Sequence, residues 1–307
     1  MDLFVTHVVA LAWEGRLGEA EELLTGAHAL VIGQPAAEAR AYVAGWFALL
    51  HLEQGRPMSA FRRASDSYTL FQQLGRTFAA RWPYAAAAQA LALAGQPDRA
   101  AETLAAHDAL GLPAGLLYET DLLQARGWAA TAALHGLARL GHARDAAARL
   151  AVLANCIDGK LVAARAAYAS AVAARDSEAL KKVCGDFEDM GAILYAAEAS
   201  AEAAVLLRRA GNARAAAAAE QKAARLLARC EGAVTPPVRA IGARVRLTPG
   251  ELDTAAQAAA GRSNKQIVGH LHLSVRTVES HLQRAYEKLG ISGRHELADA
   301  LRDQPDP

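Results

Sequence analysis

Residues 247–301 read LTPGELDTAAQAAAGRSNKQIVGHLHLSVRTVESHLQRAYEKLGISGRHELADAL, and the punctuation of this stretch decides the fold. Thr248 can cap a helix that has Pro249 at its first position and Glu251 at its third. This is a capping box: the threonine hydroxyl accepts from one orphan amide and the glutamate from another, while proline gives up an amide the first turn cannot use. Leu252, Ala255, Ala256 and Ala259 predict the apolar face of this helix, and Gly261 ends it. Ser263 and Gln266 form a second box, opening a helix that buries Ile267 and Leu271. The turn His272-Leu273 follows. Ser274 then caps a third helix, Val275 to Leu289, which stops at Gly290. A fourth starts near Ser292 or Gly293 and carries Leu297 and Leu301.

A short helix, a tight turn and a longer helix make a helix-turn-helix. At about 100° per residue, Val275, Val278, Leu282, Tyr286 and Leu289 share the face predicted to pack inward. The outward stripe holds Arg276, Ser280 and Gln283, with Thr277, Arg284 and Lys288 on its flank. Hydrogen-bonding groups in the middle suit base edges, and cations beside them suit phosphates. The wheel places Glu279 nearer the packed face.

The stretch resembles the LuxR-type DNA-binding domain, shared by many bacterial response regulators and quorum sensors. The resemblance is carried by Leu247-Thr248-Pro249, Glu251, Gly261, Ser263-Asn264-Lys265, Ile267, Leu271, Leu273-Ser274, Thr277-Val278, His281-Leu282, Tyr286, Lys288-Leu289-Gly290, Arg294 and Leu297. It implies that Lys265 and Thr277 grip phosphate and that Glu279, Ser280 and Gln283 face bases in the major groove. Family members often have lysine where Glu279 stands. A carboxylate there repels phosphate but accepts from cytosine N4. Gly250 stands where the family commonly has a charged residue. The resemblance also implies a dimer on double-stranded DNA through the fourth helix, where Leu297 and Leu301 lie a turn apart. Simple burial against the third helix accounts for those leucines equally well.

Upstream, EGAVTPPVRAIGARVR carries paired prolines, Pro236 and Pro237, and two glycines. It reads as a linker over 232–245, between an N-terminal domain of 1–231 and the DNA-binding domain of 246–303. Residues 1–231 are rich in alanine, leucine, glutamate and arginine, strong helix formers, and show no alternating strand pattern. A small residue recurs with alanine five positions later: Gly15 and Ala20, Gly55 and Ala60, Gly95 and Ala100, Gly141 and Ala146, Ala174 and Ala179, Gly211 and Ala216. The small residue permits the bend between antiparallel helices, and the alanine sits where they come closest. Such hairpins cannot bury their apolar faces alone and stack. The expectation is an all-α protein: a helical-hairpin solenoid similar to tetratricopeptide repeats, then a four-helix helix-turn-helix domain. Most of the aromatics, Trp13, Tyr42, Trp46, Phe47, Phe61, Tyr68, Trp82, Tyr84 and Trp128, lie in the first half of the solenoid. They read as core between hairpins or as a groove for an effector or partner helix.

Other classes find little support. Residues 244–303 hold nine Lys/Arg and seven Asp/Glu, so pattern rather than charge carries the DNA reading. Cys156, Cys184 and Cys230 lie far apart and form no pair, which suits a reduced, cytoplasmic protein. Asp2 replaces a basic signal-peptide start, and no apolar run of about 18 residues predicts a membrane span. His270 and His272 point to different helix faces, so no metal is expected. There is no phosphate-binding loop and no nucleophile or zinc-protease motif, so neither cofactor nor enzyme activity is expected. Large regulators of the maltotriose-responsive type place an ATPase first, helical repeats next and a LuxR-type domain last; the chain resembles the last two parts. The expected protein is a DNA-binding transcription regulator whose repeats contact an effector or RNA polymerase. The competing expectation is a helical-repeat adaptor whose terminal domain mediates dimerisation or polymerase contact.

Overall fold

The computed structural model describes residues 2–76, 79–109, 130–239, 247–289, 291 and 293–302. Every regular element among them is a helix. The first group is α1 (Asp2–Trp13), α2 (Leu17–Val31), α3 (Ala37–Glu53), α4 (Pro57–Gln73), α5 (Arg81–Leu93) and α6 (Pro97–Ala109). Helical residues 130–139 follow, then α7 (Ala143–Cys156), α8 (Lys160–Ala174), α9 (Ser177–Asp189), α10 (Ile193–Arg209) and α11 (Ala213–Leu227). The last group is α12 (Pro249–Ala259), α13 (Asn264–Leu271), α14 (Val275–Leu289), a 3-10 turn Arg294–Glu296, and α15 (Leu297–Arg302). No helix among the described residues is long and apolar enough to cross a membrane.

The bend between α3 and α4 shows how the hairpins are made. Gly55 has φ +76°; its amide donates to Leu52 O at 3.1 Å and the Arg56 amide to His51 O at 2.8 Å. These two bonds close α3 in a Schellman motif, which needs a left-handed residue. The same pair of bonds recurs at Gly15, Gly95, Gly141 and Gly211, and also at Gly75 and Gly191, beyond the expected set. Five residues on, Ala20, Ala60, Ala80, Ala100, Ala146, Ala196 and Ala216 are all buried. The expectation at Ala174 is off by one. Arg175 takes the left-handed position at φ 56°, and Leu180, not Ala179, is the fully buried residue five places later. A search for small residues misses such a turn because arginine can occupy it, at some strain cost.

Consecutive helices pack as antiparallel neighbours, and the first half also packs on the second. Helix α1 lies against α8. A Cβ on Gly55 would meet Leu194 Cβ at 2.5 Å, so the α3–α4 turn seats directly on the start of α10. Ser59 donates its amide and hydroxyl to Glu231 at 2.8 and 2.6 Å, and the Val234 amide donates to Leu93 O at 2.6 Å. One core therefore runs from Val8 to Val238. The stretch expected as linker from 232 is partly body: Ala233, Thr235 and Val238 are buried. Pro236 and Pro237 open a helical turn here, where prolines are tolerated. Residues 240–246, the rest of the expected linker, lie outside the described residues, as does Trp128. The aromatics of the first half pair between hairpins, with Tyr68 stacked on Tyr84 at 4.1 Å and Trp46 against Trp82 at 5.7 Å.

Deep in this body is a polar network that no short-range pattern encodes. Arg165 is fully buried and bonds Glu53, Thr131 and Tyr195. Beside it His135 Nε2 meets Glu198 at 3.3 Å, and Arg139 pairs with the same carboxylate at 2.9 Å. Tyr168, Phe187 and Tyr195 surround the His135 ring. Burial, with the charges of Arg139 and Arg165 nearby, pushes His135 down to about 4 against the opposing pull of Glu198.

Candidate nucleic-acid interface

The C-terminal domain has its own core of Ala255, Ala258, Ile267, Val278, Leu282, Ala285, Leu289 and Leu297. Both capping boxes are present at α12 and α13. The Thr277 amide donates to Ser274 Oγ at 3.0 Å, capping α14. His272 takes φ 54° in the turn between α13 and α14.

The packed face of α12 differs from the expected one. Glu251, Thr254, Ala255 and Ala258 are buried, whereas Leu252 is 43% exposed and Ala256 is exposed. Polarity misleads here because each polar group is satisfied on the spot. Glu251 accepts from the Thr248 amide at 2.8 Å and from Lys288 Nζ at 2.6 Å. Burial alone would raise its pKa; Lys288 and Thr248 hold it below the usual carboxylate range. Thr254 donates to Gly250 O at 2.6 Å, and His281 Nδ1 donates to the same oxygen at 3.1 Å. His281 is thus a clasp between α14 and α12. A Cβ on Gly250 would stand 3.0 Å from its ring, so glycine has a packing reason here.

On α14, Val278, Leu282, Ala285 and Leu289 point inward. Val275, expected among them, is the first residue of α14 and is 51% exposed, whereas Val278 one turn later is fully buried. Arg276, Glu279, Gln283 and Arg284 are exposed, and Thr277 and Ser280 are half-buried. Glu279 therefore lies on the outward stripe rather than near the packed face. Lys265 is exposed at the start of α13. Among the described residues, Lys265, Arg276 and Arg284 form no ion pair with a carboxylate, whereas Lys288 is held against buried Glu251. A lysine neutralised in this way steadies α14 on α12. Leu297 is fully buried in the domain core and Leu301 half-buried against it. Leu297 has no surface left for a partner.

Arg294 is the structural residue that spacing alone did not single out. It donates to Arg262 O at 2.6 Å and to Asn264 Oδ1 at 2.5 Å, pinning the start of α13 to the end of the domain. Helix α11 of the repeat body packs against α14.

Residues 245–301 match the family model described as bacterial regulatory proteins, luxR family. Three mycobacterial proteins named as HTH-type transcriptional regulators, one from Mycobacterium bovis and two from Mycobacterium tuberculosis, are each 41% identical over 61 residues. The match covers 20% of this chain and spans 7% of the length of those relatives. No solved structure matches the chain. The C-terminal segment is a LuxR-family helix-turn-helix domain on a chain that is otherwise helical throughout its described residues.

Proposed function

We propose that the protein is a sequence-specific, non-enzymatic transcription regulator of the cytoplasm that binds double-stranded DNA through α14, while the repeat body receives an effector or a protein partner. One observation carries the reading. An exposed stripe of Arg276, Glu279 and Gln283 is backed by a well-packed apolar face, and Lys265 on α13 and Arg284 on α14 are exposed cations. An α-helix fits the major groove, where such side chains meet base edges and phosphates. Ser280, Gln283 and Glu279 are the base-facing set. Lys265, Arg276, Thr277 and Arg284 are the phosphate set. Lys288, placed with the phosphate contacts on sequence grounds, is reassigned to holding Glu251. A dimer on paired half-sites would use the surface around Leu301.

Gel shifts with the gene's own upstream region test this. Lys265→Glu is expected to weaken binding to every sequence and to flatten its salt dependence, since each phosphate contact releases counterions. Gln283→Ala is expected to change which sequence is preferred. Wild-type behaviour of Lys265→Glu across salt would sink the docking. No shift even at low salt, with a tight protein partner in pull-down, would favour the adaptor reading.

A further inference from the structure

Helices α2, α3 and α4 enclose an open cleft of about 450 Å3, lined by charged and aromatic side chains that the DNA-binding reading leaves unused. That volume lies within the usual range for small-molecule sites. Its floor is Phe47, 4% exposed. The Arg63 guanidinium lies over the Phe47 ring, 4.7 Å from the centroid, and touches His28 Nε2 at 3.2 Å. The cleft's other arginine, Arg56, is paired with Glu21 at 2.8 Å, and Gln54 bonds the second oxygen of that carboxylate. Arg63 forms no such ion pair among the described residues. His51 also lines the cleft; it is 5% exposed, and its Nδ1 has no hydrogen-bond partner among the described residues. At the rim, Ile32 is 63% exposed beside Ala29.

We infer that this cleft binds a small organic carboxylate with an apolar body, its head group on Arg63 and its body over the Ile32 rim. Two guanidinium groups face one carboxylate, so the lining has room for one more negative charge. Arginine's planar fork suits a carboxylate in two-point contact. Burial and neighbouring Arg56 hold His51 below its usual range, leaving a neutral ring that can donate or accept. A singly charged head group fits this lining better than a doubly charged phosphate. The site gives the repeat body a ligand class, and only its regulatory consequence rests on the function proposed above.

Calorimetric titration of the full chain tests the site, using benzoate and octanoate against their neutral counterparts benzamide and octanol. At least one carboxylate is expected to bind tenfold or more tightly than its neutral counterpart. Arg63→Gln should abolish that preference and Arg63→Lys should keep part of it. Arg62→Gln should change nothing, because Arg62 lies outside the lining and bonds Ser59. Circular dichroism confirms that each variant is folded. Equal binding of acid and neutral forms, no binding of either, or wild-type titration by Arg63→Gln overturns the site. Gel shifts with and without the bound carboxylate separate the two proposals. Carboxylate binding that leaves DNA affinity unchanged keeps the site and removes its effector role.

Discussion

The two parts of this chain hold their polar groups in opposite ways. In the C-terminal domain, helix ends are capped within a few residues, Thr248 with Glu251, Ser263 with Gln266, Ser274 with Thr277, and buried Glu251 reaches Lys288 over 37 positions. In the repeat body, the most deeply buried charges reach across the chain, Arg165 to Glu53 over 112 positions and Glu53 to Tyr195 over 142. The first arrangement stabilises single helix ends. The second joins the front of the body to its back, and its loss is felt by every helix between. Stability in the small domain is therefore distributed over many modest contacts, while the body depends on a few costly ones.

The sharpest way to break this contrast is to cut the long-range pair. Glu53→Ala leaves Arg165 charged and buried, and is expected to destabilise the body by about 3–5 kcal/mol. Replacing both, Glu53→Met with Arg165→Met, should recover much of that loss, because the desolvation cost goes with the charges. Urea unfolding followed by helical circular dichroism reads both. A single variant as stable as wild type would mean that the network does not tie the halves together.

The next effect is a slope. His135 is held at about 4 in the folded body, against an ordinary 6.5. Between those values the unfolded chain takes up a proton that the folded chain refuses. Stability is thus fully present above about pH 6.5 and falls as the pH drops toward about 4. Melting temperatures from pH 7.5 to 4.5 should show this decline, and His135→Gln should flatten it. An unchanged slope would assign the pH response elsewhere. The smallest effect belongs to the terminal domain. Thr248→Ala removes one cap and should cost about 1 kcal/mol, with the melting of the body unmoved. A loss comparable to that of Glu53→Ala would erase the distinction between the two regions.

The same distinction governs what could be read in advance. Capping boxes and glycine turns are local signals, so Thr248, Ser263, Gly55 and Gly211 were legible with their partners. Gly75 with Ala80 and Gly191 with Ala196 carry the same local signal, and Arg175 takes the turn position with a side chain outside any small-residue pattern. On α12, apolar character pointed to Leu252 and Ala256, yet Glu251 and Thr254 are the buried ones, because their polar atoms are satisfied by the cap, Lys288 and Gly250. The exposed stripe of α14 was legible for Arg276 and Gln283. Val275 was not, since helical periodicity does not say how well the first residue of a helix is covered. The Glu53–Arg165–Tyr195 cluster and the Arg63 cleft were illegible for a simpler reason: each gathers residues from helices whose packing only the folded chain reveals.

The contact of α11 with α14 joins the two regions without passing through the chain between them. Two binding events that sense the same contact are thermodynamically reciprocal: whatever factor a ligand on the body applies to the affinity for DNA, DNA applies to the affinity for that ligand. The bound state of the operator can therefore be assayed from the far end of the molecule, by titrating the body with and without DNA and comparing the two curves.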